Sequence, residues 1–239
     1  MAKILVLAKS GFGKSTSIGE TKNEKLGIDI KGLNPDDTYV ISMTSKPLPF
    51  AKSAEKFKVT TLEAISKGNR VICSNPDQVI KVLSKLVKSP KKEIVLDDFN
   101  YLMQDWYMDN ALAKGWDAPK TIGYFIGQIF KCIEALDAAG KNVYVLAHGE
   151  DVMQSDGRTY VKMKTTGKMV DEYVTPEGKF DITLLGISTF DSSEGKVLKR
   201  FLTNENEFYS SAKSAIGMFD EYIPNDLGLV SEGIKNYYN

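Results

Sequence analysis

Residues Lys3-Ile-Leu-Val-Leu7 run straight into Ala8-Lys-Ser-Gly-Phe-Gly-Lys-Ser-Thr16, and that junction constrains the fold more than any other stretch. The first segment is almost wholly aliphatic and reads as a buried strand. The second fits the P-loop pattern G-x-x-x-x-G-K-[ST] except at its first position, where Ala8 stands for glycine. Such a loop folds so that successive backbone N–H groups converge on one anion. Gly11 and Gly13 give the backbone a freedom that a Cβ would obstruct. On this reading Ser10, Gly11, Phe12, Gly13, Lys14, Ser15 and Thr16 form the cradle. Lys14 brings a mobile positive charge to the outer phosphates, and the Ser15 hydroxyl faces the Mg²⁺ that accompanies them.

With 239 residues the chain is long enough for one sizeable α/β domain. Hydrophobic residues make up 42% and charged residues 26%, as in ordinary globular proteins. Lys+Arg and Asp+Glu both number 31, so the formal charge is zero. That balance argues against a general polyanion binder and leaves a local basic groove open. No apolar run approaches a membrane span, and the polar Lys9–Lys14 segment follows too soon for a signal peptide. Cys73 and Cys132 are isolated thiols without metal-ligand spacing, which points to a reducing cytoplasm and no membrane partner.

After the loop, residues 15 to about 25 are expected to begin as a short helix. Gly27–Lys31 alternates like an edge strand closed by the turn Gly32-Leu-Asn-Pro35. Thr38–Met43 is a strand. It leads into Ser45-Lys-Pro-Leu-Pro-Phe50, where two prolines exclude helix. Asn69–Cys73 is another strand. Asn75 and Pro76 then cap a helix carrying Val79, Val82, Leu83 and Leu86. The clearest core helix runs from Pro119 to Gly140, with Ile122, Ile126, Ile129, Ile133 and Leu136 at three-four spacing.

Glu93-Ile-Val-Leu-Asp97-Asp98 is the second landmark. An aliphatic strand ending in two carboxylates is what a phosphate loop needs beside it. Asp97 orders the Mg²⁺ shell, and Asp98 is a candidate to polarise water. Asn142–Ala147 is the next buried strand. At its end stands His148, the one histidine of the sequence, placed to donate a ring N–H to a terminal phosphate.

Beyond Asp151 the pattern turns to hairpins, with strands near Thr159–Thr165, Asp181–Thr189 and Val197–Thr203, then a short C-terminal helix. One domain, 1–239, follows: a nucleotide-binding core over 1–151 and a β-rich extension over 152–239. Strands alternating with helices call for a mostly parallel sheet whose ligand lies beyond its carboxyl edge. Aromatics from Tyr101 to Trp116 and the lysines Lys162, Lys164 and Lys168 leave that edge. Together they form a candidate stacking and basic surface for single-stranded DNA.

With these residues assembled, the chain resembles the RecA-like P-loop ATPases. It resembles more closely the phage-encoded "AAA domain" nucleotide-binding proteins related to Sak-type single-strand annealing recombinases. The resemblance is carried by Ala8–Thr16, Gly32–Pro35, Lys46–Phe50, Glu93–Asp98, Leu146–Glu150, Thr166–Lys168, Ala212–Ser214 and Pro224–Leu227. It implies binding and hydrolysis of ATP with Mg²⁺, assembly into a homo-oligomeric ring or filament, and a role in phage DNA recombination or replication. It also implies a catalytic base, for which Asp98 and Glu150 both stand as candidates. In such assemblies a neighbouring subunit supplies a cation to the γ-phosphate. Lys168 and Lys213 rank first for that role, ahead of Lys199 and Arg200. Two other readings remain at this point: a nucleotide kinase, disfavoured by having only three arginines, and a nucleotide-gated assembly protein with little turnover.

Overall fold

The computed structural model describes residues 1–24, 27–112, 118–166, 170, 175–193 and 195–238, with side chains at 118 and 119 left aside. Its first half contains strands β1 (Lys3–Ala8), β2 (Thr21–Asn23), β3 (Ile28–Ile30) and β4 (Thr38–Ser42). Helix α1 (Ser53–Lys56), strand β5 (Arg70–Ile72), helix α2 (Pro76–Leu86) and strand β6 (Glu93–Asp97) follow. Helices α3 (Asn100–Asp109) and α4 (Ala118–Ala138) then lead to strands β7 (Asn142–Met153) and β8 (Thr159–Met163). Strands β9 (Ile182–Asp191), β10 (Lys196–Leu202) and β11 (Tyr222–Pro224) precede the last helix, α5 (Leu227–Tyr238).

Among the described residues the main sheet has nine strands in the order β11-β10-β9-β1-β7-β6-β4-β5, with β8 paired to the outer part of β7. The run from β9 to β5 is parallel throughout. The mostly parallel, helix-flanked sheet expected of a RecA-like core is therefore present, with an antiparallel β9–β10 hairpin beside it. Both faces are covered, which explains the unbroken aliphatic runs in sequence. Leu5, Leu7, Ile94, Leu96, Val143 and Val145 face α2 and α4. Their alternate neighbours Ile4, Val6, Val95 and Leu146 face the layer containing Ile18, Phe50 and α5. Asn75 caps α2 as expected, its Oδ1 accepting the Gln78 N–H.

Three expectations need correction. The P-loop is not followed by an α-helix. Only one 3-10 turn forms, Ser15–Ile18, before the extended Gly19. Phe50 is packed so tightly there that a Cβ on Gly19 would lie 2.3 Å from its ring. Thr21–Asn23 then pairs with Ile28–Ile30 in a small separate two-stranded sheet, which is where the edge strand expected at Gly27–Lys31 lies.

His148 does not end its strand. β7 continues to Met153 because β8 gives it an antiparallel partner past the sheet edge, from Gly149↔Met163 to Met153↔Thr159. The strand at 182–191 is likewise more than a hairpin arm, since Ile182–Leu185 pair in parallel with Ile4–Leu7 of β1. The C-terminal part thus builds one side of the P-loop's own sheet.

Candidate nucleotide-binding site

β1, β6 and β7 deliver Ala8, Asp97 and His148 to the same carboxyl edge, Ala8 standing opposite His148 in register. The loop after β1 turns on Gly11 and Gly13, whose φ values of 77° and 108° lie in the region that favours glycine. Ala8 is tolerated at the first loop position because its neighbour across β9 is Gly186. A Cβ on residue 186 would come within 2.5 Å of the Ala8 methyl and 2.7 Å of the Phe12 ring. The volume that glycine would leave at position 8 is left at position 186 instead.

A cavity of about 310 Å³ opens over the loop, lined by Ser10, Gly11, Gly13, Lys14, Ser15, Thr16, Lys46, Pro49, Asp98, Tyr101 and His148. Lys14 is only 5% exposed. Its Nζ donates to the carbonyls of Ala8, at 3.0 Å, and Lys9, at 3.4 Å. Burial lowers the Lys14 pKa, against the pull of Asp98 and Asp97. The Ser15 hydroxyl donates to Asp97 Oδ1 at 2.8 Å. Burial pushes the Asp97 carboxyl up to about 6, with the neighbouring Asp98 adding to the rise.

Asp98 adopts φ 60°, a left-handed conformation that aspartate tolerates better than most residues. Its side chain accepts a long hydrogen bond from Thr44 Oγ1 at 3.4 Å and lies 4.0 Å from His148 Nε2. Burial first, then the charge of Lys14, hold the His148 imidazole below its usual pKa, so it is neutral at pH 7. Tyr101 meets it edge-on, ring centres 6.0 Å apart. The buried Asn100 carboxamide accepts the His148 N–H and donates to the Lys164 carbonyl, joining α3 to the β7–β8 ribbon.

The residues picked from the sequence therefore divide. Ser10, Gly11, Gly13, Lys14, Ser15, Thr16, Asp98 and His148 share one cavity, and Asp97 sits directly behind Ser15. Phe12 turns inward against Phe201, ring centres 6.0 Å apart, and serves the core. Glu150 is exposed on the ribbon opposite Lys162, outside the cavity. Among the described lining residues Asp98 is the one carboxylate.

The expected trans cations are spread out. Lys199 Nζ donates to the Gly11 carbonyl of its own chain at 2.8 Å. Arg200 lies over the Tyr222 ring at 5.1 Å. Lys213 is exposed, its backbone paired with Thr183. Lys168 and Trp116 fall outside the described residues. Trp106 packs edge-on against Phe125, so it is not a free stacking platform.

Sequence reasoning gave no role to Lys46, Pro49, Arg70, Asn100 or Asn225. Arg70 is 5% exposed and donates to Ser42 Oγ at 2.9 Å and to the Lys46 carbonyl at 2.6 Å. Asn225 Nδ2 donates to the Gly13 carbonyl at 3.0 Å. Asp226 next to it accepts the N–H groups of Lys31, Gly32 and Gly228. The Lys46-Pro-Leu-Pro and Pro224-Asn-Asp segments were visible in sequence, but their partners are remote along the chain.

The donor set suits a nucleotide phosphate with a divalent cation. A glycine-hinged loop, a lysine resting on loop carbonyls and a hydroxyl paired to a carboxylate surround one polar cavity. No protein-family model matches the sequence, and no curated protein matches it. Solved structures do match. One is a KaiC-like protein from the hyperthermophilic archaeon Pyrococcus horikoshii, 12% identical, covering 84% of this chain and 77% of that chain at a TM-score of 0.44. Among the described residues no helix is long and apolar enough to cross a membrane.

Proposed function

We propose that the chain is a Mg²⁺-dependent ATPase acting on single-stranded DNA, of the recombination type named above. The observation that carries the ATPase reading is the 2.8 Å hydrogen bond from Ser15 to Asp97 beside the buried Lys14. Those are the two groups that would share a metal and the one that would meet the outer phosphates. Ser15 and Asp97 would hold Mg²⁺, which would supply charge neutralisation at the outer phosphates. Lys14 exchanges its two carbonyl partners for phosphate oxygen. Asp98 takes the proton of the attacking water at its carboxylate, and the neutral His148 donates a ring N–H toward the terminal phosphate.

The DNA part rests on the ribbon. It grows directly out of His148 and carries Lys162, with Lys164 at its base bonded through Asn100 to the same histidine. Assembly into a homo-oligomer belongs to the same reading. A kinase lid is disfavoured because each of the three arginines is engaged locally. Arg70 is buried under β4, Arg158 pairs with Asp156 and Glu205, and Arg200 lies over Tyr222. The test is ATP hydrolysis measured with and without single-stranded DNA. Stimulation is expected; hydrolysis that needs a nucleoside monophosphate would replace this reading with a kinase, and no nucleotide binding would end it.

A further inference from the structure

We infer that Lys46 is a second phosphate-facing cation, supplied within the same chain and held in place by the buried Arg70. The inference deepens the ATPase reading and rests on it. Lys46 opens the Lys46-Pro-Leu-Pro-Phe50 segment after β4 and lines the same cavity as Lys14, Asp98 and His148. Two prolines fix much of its backbone, and Leu48 and Phe50 anchor it at 3% and 9% exposure. The Lys46 Nζ lies 5.5 Å from the centre of the Tyr101 ring, itself a wall of the cavity. Its charge reaches the site, since it contributes to lowering the His148 pKa.

Arg70 otherwise has no account. Burying a guanidinium is costly unless its donors are used. Here Nε goes to Ser42 at the end of β4, and one terminal nitrogen goes to the Lys46 carbonyl. The nearby Asp97 offsets the burial of its charge. The arginine thus spends its hydrogen bonds on fixing where Lys46 leaves the strand. That is a positioning role, and Lys46 is the group that would touch substrate.

The reaction has a place for such a cation. The bond from the water oxygen to the γ-phosphorus forms as the bond to the β–γ bridging oxygen breaks, giving ADP and phosphate. The water's proton passes to Asp98. Negative charge on the three equatorial oxygens and the departing ADP oxygen is shared between Lys14 and Lys46. The neighbouring subunit need not supply this charge.

The experiment compares Lys46→Met and Lys46→Arg with the wild type in ATP turnover and ADP affinity, and mixes Lys46→Met with Lys14→Ala protein. Lys46 is exposed, so neither change threatens the fold. Lys46→Met is expected to lose about 10²–10³-fold in turnover while holding ADP as before. Lys46→Arg should recover part of the loss, and the mixture should stay inactive because both defects lie in one chain's site. Wild-type turnover in Lys46→Met, or activity restored on mixing, overturns the proposal while leaving the ATPase reading intact. A wild-type protein that binds no nucleotide overturns both.

Discussion

At the scale of single residues, the two adjacent carboxylates are separated by environment. Asp97 is buried behind Ser15, whereas Asp98 lines the cavity. The folded Asp97 carboxyl, at about 6 against an ordinary 3.8, favours the protonated form. Its ionisation therefore costs stability that is absent below the unfolded pKa and fully felt above pH 6, about 3 kcal/mol by the size of the shift. Asp97→Asn should accordingly raise the melting temperature of the nucleotide-free protein at pH 7 and bring it level with wild type near pH 4. The same variant should lose Mg²⁺-dependent nucleotide binding. Asp98→Asn should keep binding and lose about 10²–10⁴-fold in turnover. Thermal melts across pH and binding with and without Mg²⁺ decide the matter, and equal binding losses in both variants would erase the distinction. The pair of acids was legible from sequence because a strand pattern led into it. The burial that divides them was not, since it depends on where Ser15 and Arg70 land.

At the scale of elements, the expected helix after the P-loop and the observed 3-10 turn differ for a physical reason. Local pattern favours helix from Ser15, but Gly19 must pass against the Phe50 ring and Gly32 against the Gly19 backbone. Those neighbours are set by tertiary packing, which sequence periodicity does not contain. The consequence is that a single 3-10 turn backs the loop, so an anion bound there would depend on the loop's own N–H groups and lysines. The ribbon follows the same logic: β7 outran its expected end because β8 arrived to pair with it. Asn100 welds that ribbon to the acidic strand. Asn100→Ala would orphan the His148 N–H and the Lys164 carbonyl, at about 1–3 kcal/mol for each group. Faster amide exchange at His148 and Lys164, with β1 unchanged, is the expected result by hydrogen exchange. Unaltered protection at both amides would show that the ribbon holds itself.

At the scale of the whole molecule, the loop near residue 10 is finished by the far end of the chain. β9 flanks β1, Lys199 holds the Gly11 carbonyl, Asn225 holds the Gly13 carbonyl, and α5 buries Leu227, Val230 and Ile234 against the face that contains Ile18. The alternation of strands and helices up to residue 147 was readable because each step is local. The return of 182–185 to the side of β1 joins segments far apart in sequence and leaves no periodic trace. A chain ending at residue 220 should therefore lose nucleotide affinity along with stability, measured by calorimetric titration beside thermal melting. Full affinity in that truncated form would show that the P-loop is self-sufficient.

The bond between Asn225 and Gly13 spans 212 residues, and that distance is also a delay. At a synthesis rate of about 5–20 residues per second, the loop leaves the ribosome about 10–40 s before the asparagine that secures it. During that interval the nascent chain displays a phosphate-binding sequence without a finished phosphate-binding site. On the proposed ATPase reading, nucleotide capture would be a late event in the synthesis of each molecule, set by the arrival of the terminal segment.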